Sequence, residues 1–196
     1  MTDAAVPPVP PLPLTGQVGL IPDGHGLIPE LIDWATRSRV HHVIVAVSET
    51  ETIGAEPGGA RIRPLSYYPN AIWSRFPLSA VQAQDCADWA RARENRPYNL
   101  TDDLLIGLEC ITGLTLPHVI TDRFDSDDSY QCAQLADAAL TKGAGITVFD
   151  DGRRPGTVYP GSFELYFRLA GWWTRPDLPV KLQLKPLTGV HIADTL

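Results

Sequence analysis

Nine residues, VHHVIVAVS (40–48), constrain the fold more than any other stretch of this 196-residue chain. From Val43 to Val47 every side chain is apolar, and valine and isoleucine predominate. Side chains along a strand point alternately to opposite faces of its sheet. A strand that is apolar at both odd and even positions must therefore be covered on both sides. The segment is expected at the centre of a sheet. His41 and His42 open it, one towards each face by alternation, so alternation alone does not choose between them.

The other segments arrange themselves around that strand. GQVGLI (16–21) reads as a short strand, and TIGAEPGGARIRPLSYY (52–68) as two more around a Pro-Gly-Gly break. Helices are expected over 26–38, 79–96 and 97–113. In the second, Val81, Cys86, Trp89 and Ala90 mark an apolar stripe. In the third, Cys110 sits beside Ile106, Leu108 and Ile111. Both cysteines read as core thiols. The segment ITVFDDGRRPGTVYPGSFELYFR (146–168) reads as a strand, a turn and a short helix or strand, and VKLQL (180–184) as a further strand. Strands and helices come in separate blocks without regular βαβ alternation, which argues for an α+β domain. Residues 1–14 form a proline-rich arm, 15–172 the domain and 173–196 a C-terminal extension. The proline-rich termini are candidate docking segments for a protein partner.

Charge and cysteine usage narrow the function. The formal net charge is -7, and no Lys/Arg cluster interleaves with aromatics, so no nucleic-acid partner is expected. No run approaches the length of a membrane span, so no stable membrane insertion is expected. The N-terminal stretch has neither a basic nor an uninterrupted apolar region, so it does not read as a secretory signal. The three cysteines are widely spaced and form no CxxC pair, so neither a zinc site nor a disulfide framework is suggested. No metal or cofactor is expected. The location these features suggest is cytoplasmic, or virion-associated if the chain is phage-encoded.

The chemistry centres on DSDDSYQCAQLADAALTKGAG (125–145). Cys132, Leu135, Ala136, Ala139 and Leu140 fall at i, i+3, i+4, i+7 and i+8, one face of a helix turned to the core. Asp127, Asp128 and Ser129 precede it as candidate caps, and Gly143 or Gly145 can end it. Cys132 then lies in the first turn, where the positive end of the helix favours a thiolate. By position it is either a small core residue or a nucleophile. A nucleophile needs a base within reach. Of five histidines, His25, His118 and His191 read as loop or terminal residues, leaving His41 and His42.

Five segments occur in a recognisable order: IDWATRSRVHHVIVAV, AEPGGARIRPL, RPYN, YQCAQLADAALTKGAGI and YPGSF. Over about residues 15–165 this pattern resembles the NlpC-type papain-like cysteine peptidase superfamily. The likeness is to its circularly permuted branch, which also holds lecithin:retinol acyltransferase-like proteins. There the histidine strand comes first and the nucleophile helix late. The resemblance implies a permuted papain-like fold with a central antiparallel sheet packed on helices. It also implies Cys132 as nucleophile and His42, directly before Val43, as general base. The family's third polar residue falls at Gly54. Glu56, two residues on and on the same strand face, is the candidate that orients His42 in its place. The family's early Gly-Asp is Gly16-Gln17 here. The amide of Gln17 is a candidate oxyanion donor, which a carboxylate is not.

The reading that follows is a thiol hydrolase, a peptidase or amidase forming an acyl-thioester on Cys132. A small peptide or amide is its substrate, with peptidoglycan peptides implied by the resemblance. Two alternatives stand beside it. One is a non-enzymatic or inactive phage-related interaction protein on the same fold, suggested by Gly54. The other is a lipid acyltransferase or esterase, which would need an apolar membrane-facing patch.

Overall fold

The structure is a computed structural model that describes residues 14–22, 38–97, 131–152 and 158–175. Five strands form one antiparallel sheet: β1 (Val18–Ile21), β2 (His42–Ala46), β3 (Glu51–Glu56), β4 (Gly59–Pro64) and β5 (Ile72–Trp73). Their order is β4-β3-β2-β1-β5, so the doubly apolar segment is the central strand, as its pattern requires. The fold is α+β. Three helices complete the described parts: α1 (Ala80–Arg91), α2 (Cys132–Ala138) and α3 (Pro160–Leu169). Helix α2 runs on into a π-helical turn, Ala139–Gly143.

Register separates the two faces of the sheet. Val18 pairs with Val45 and Leu20 with Val43 across β1–β2, and Val45 pairs with Ile53 across β2–β3. These residues, with Ala55 and Ala60, join one core cluster with Cys86, Ala87 and Ala90 of α1, Cys132, Ala133, Leu135 and Ala136 of α2, and Phe163 and Phe167 of α3. All three helices thus feed the same side, and α2 packs on β2 and β3. The opposite side carries His42, Ile44 and Ala46 on β2. Ile44 and Ala46 are fully buried but belong to no part of that cluster. Both faces of β2 are covered, as expected, by two separate sets of groups.

Helix α1 starts at Ser79, which accepts from the N–H of Gln82, while the Gln82 side chain accepts from the N–H of Ser79. Its buried face is Cys86, Ala87 and Ala90. Val81, expected in that stripe, is 69% exposed, because it sits in the first turn beyond the edge of the core. Trp89 is half-buried, and the guanidinium of Arg93 stacks 3.5 Å from its ring centroid. The strand expected at 146–149 does not form: the segment is irregular, Val148 being buried without a strand partner. The segment at 160–169 is helical. The helices expected at 26–38 and 97–113, Cys110, and the strand at 180–184 lie outside the described residues or almost wholly so. No helix among the described residues is long and apolar enough to cross a membrane.

Candidate active site

Cys132 is the first residue of α2, and the expected buried face is formed: Cys132, Leu135, Ala136, Ala139 and Leu140 all lie in the core cluster. The cap differs from the expected Asp127–Ser129. It is Gln131, whose side chain accepts from the N–H of Gln134 while the Gln134 side chain accepts from the N–H of Gln131. A glutamine can replace the shorter capping side chains here because Gln131 is itself buried and its amide lies against the helix start. The helix ends through Gly143 into Gly145, whose φ of 69° is the left-handed conformation that terminates helices. Cys132 is 6% exposed. Cys86 is fully buried, and burial pushes its thiol up to about 12.

His42 lies on the other side of the sheet. Its ring rests over Gly54: a Cβ built on Gly54 would stand 2.5 Å from His42 Nε2 and 3.0 Å from the Ile44 side chain. Across the sheet, a Cβ on Gly19 would press on Ile44 and on the Trp73 indole. Ile44 is therefore flanked by two glycines, with His42 packed over one and Trp73 over the other. Glycine at 54 thus has a physical reason, since a side chain there would collide with this imidazole. Nε2 is buried and has no hydrogen-bond partner. Desolvation pushes the ring down to about 4, against the opposing pull of the Glu56 charge, so His42 is neutral at pH 7. Gly54→Ala should cost about 1–3 kcal/mol by overpacking. It should also push the ring towards solvent, raising its pKa towards 6.5. An NMR titration of the imidazole and a urea melt read both, and an unchanged titration would refute the close packing of ring on glycine.

Glu56 shares that face but is engaged elsewhere. It accepts from Arg63 Nη2 at 2.8 Å and from the Tyr68 hydroxyl at 2.8 Å. Burial pushes its carboxyl up, but Arg63 and Tyr68 outweigh that, with a contribution from His42, and hold it below the usual carboxylate range. The Tyr68 ring centroid lies 5.8 Å from that of His42. Glu56 thus acts on His42 through its field, with no hydrogen bond to Nε2.

Gln17 is placed away from His42. Ile21 pairs with His42, whereas the Gln17 carbonyl accepts from Ala46, four residues along the strand and roughly 13 Å away. Its amide donates to the Phe76 carbonyl and accepts from Ser74 Oγ and the Phe76 N–H, tying β1 to the segment after β5. That role accounts for a buried glutamine at this position without any oxyanion.

The start of β2 is held from below by α3. Glu164 is fully buried; its Oε2 accepts from Ser38 Oγ and the Arg39 N–H, and its Oε1 from Arg168 Nε and Nη2. The Ile21 carbonyl accepts from His41 N–H although Ile21 is paired with His42. Val40 and Val43, three residues apart, both enter the helix-covered core. Strict alternation is therefore lost across His41–His42, the signature of an inserted residue.

The structure thus brings together His42, Gly54 and Glu56 on one face and carries Cys132 on the helix covering the other. Sequence reasoning missed Gln131, Tyr68, Arg63 and Glu164. Glu164 had a signal, a carboxylate within the apolar SFELYF with Arg168 four residues on. Among the described residues no group of three metal-ligating side chains is present. No family model and no curated protein matches the chain.

Proposed function

We propose that the protein is a thiol hydrolase of the permuted papain-like kind, cleaving amide or ester bonds through Cys132. Peptides of the peptidoglycan type are the substrate class implied by the resemblance. The observation that carries this reading is the position of Cys132 as the first residue of a helix laid on the central strand β2 and its neighbour β3. Cys132 Sγ attacks the acyl carbonyl. The carbonyl electron pair becomes an oxyanion, and the thiol proton passes through the base to the leaving group. Water then resolves the thioester. In this reading His42 would serve as the base only after a rearrangement that brings its ring from the Gly54 face of the sheet to Cys132. A neutral imidazole held near pKa 4 cannot sustain a thiolate–imidazolium pair at pH 7.

The enclosure of His42 favours a second reading, a binding protein on the same architecture in which Cys132 is a core thiol. Alkylation separates the two. Cys132 should react with iodoacetamide at pH values below the ordinary thiol pKa of about 8.5, while Cys86 stays inert in the folded chain. A Cys132 that reacts no faster than Cys86 refutes the hydrolase. Turnover of defined peptidoglycan fragments, lost in Cys132→Ala, tests the substrate class.

A further inference from the structure

We infer that Arg39 anchors a carboxylate-binding site, its guanidinium taking the anionic end of a small acid or peptide. The site goes beyond the hydrolase reading and stands whether Cys132 is a nucleophile or a core thiol. Arg39 is half-buried, and its Nε is withdrawn from water without a hydrogen-bond partner. Among the described residues no ion pair engages its guanidinium. Other arginines of the fold differ. Arg61, Arg63, Arg91, Arg93 and Arg168 each donate to a carboxylate or carbonyl oxygen, and Arg75 is exposed to water.

A buried donor without an acceptor is unfavourable, and more so when it carries charge. The carboxylate bound to this stretch of backbone is Glu164, and it is already spent. Its Oε2 accepts from Ser38 Oγ and the Arg39 N–H, and its Oε1 from the Arg168 guanidinium. Arg168 balances Glu164, which leaves the charge of Arg39 uncompensated among the described residues. One surplus charge calls for a monoanion. A carboxylate presents two oxygens in one plane, matching the Nε–H and Nη–H groups along one edge of a guanidinium. The residue is held ready for such a ligand. Ser38 and Val40 on either side are fully buried. The Arg39 N–H is tied to Glu164, and the Val40 N–H donates to Ser38 Oγ. With the backbone fixed, only the side chain remains to be ordered on binding, which lowers the entropic cost. Arg39 is half-buried rather than sealed, so a ligand can reach it from solvent. It stands two residues before His41, at the end of the sheet where β2 begins.

NMR of the full-length protein with 15N-labelled arginine tests the site. The Arg39 Nε–H signal, assigned through its bonds to the Arg39 backbone, should be resolved near neutral pH, because a buried N–H exchanges slowly with water. N-acetylglycine, a monocarboxylate with one peptide group, should shift it saturably. N-acetylglycinamide, the same molecule without the charge, should leave it in place, and inorganic phosphate should bind more weakly than the acid. Arg39→Gln should weaken N-acetylglycine binding about 10-fold or more, read from the backbone amide shifts of Ser38 and Val40. Arg39→Lys should weaken it too, since an ammonium lacks the paired N–H groups of the fork. A shift that the neutral amide reproduces, phosphate binding as tightly as the acid, or acid binding unchanged in Arg39→Gln would overturn the site. So would an Arg39 Nε–H that exchanges freely with water in the unliganded protein. The wild-type titrations decide the matter even if a variant does not fold.

Discussion

Arg168→Met should destabilise the fold by about 3–5 kcal/mol, more than any surface substitution in this chain. The Glu164 carboxylate is fully buried, and Arg168 is its only charged partner among the described residues, with Nε at 2.9 Å and Nη2 at 2.7 Å from Oε1. Removing the guanidinium leaves a buried charge held only by the neutral donors Ser38 and Arg39 N–H. The loss would be felt at the candidate site, because those two residues lead into β2 and fix how His41 and His42 enter the sheet. Arg168 also stacks 3.8 Å from the Trp173 ring centroid, so part of the loss is packing. A double-mutant cycle with Glu164→Gln separates the two. The charge pair predicts that the double variant regains much of what Arg168→Met loses. Additive losses would show that the stacking, and not the buried charge, carries the effect.

How much of this was legible in the sequence depends on whether the signal was periodic. The central strand was, because only burial on both sides tolerates VIVAV. The inner face of α2 was, because five residues at helical spacing all turn to the core. Cys86 was legible for the same reason. Val81 was not, since helical spacing says nothing about where a core stops. Gln131 was hidden because capping is usually done by shorter side chains, and the acidic run just before it offered more obvious candidates. The candidate site was less legible than the fold. The motif pointed to His42 and Cys132, but which face of the sheet each occupies depends on register and on the extra residue at His41–His42, and neither leaves a pattern in one sequence. Gly54 was read as a missing polar group. The structure gives it a positive role, the floor on which the imidazole lies.

Acidification from pH 6.5 to about 4 should remove about 3 kcal/mol of stability through His42 alone. The unfolded chain takes up the imidazole proton near pH 6.5, whereas the folded ring resists it until about 4. Between those values the unfolded state holds more protons, so stability falls as the pH falls through this window and is fully present above it. Glu49 and Glu56, both held below 4.5, act in the same direction but lose their contribution only below that value. The upper part of the window therefore belongs to the histidine. Urea melts of the wild type and of His42→Gln at pH 7, 5.5 and 4.5 would isolate it, since glutamine cannot titrate and the difference between the two proteins should shrink as the pH drops. The outcome bears on chemistry as much as on stability. A shrinking difference means that the ring stays sealed over Gly54 in solution, neutral and on the face of the sheet opposite Cys132. A difference independent of pH would mean that the ring is already hydrated and free to act as a base near neutrality.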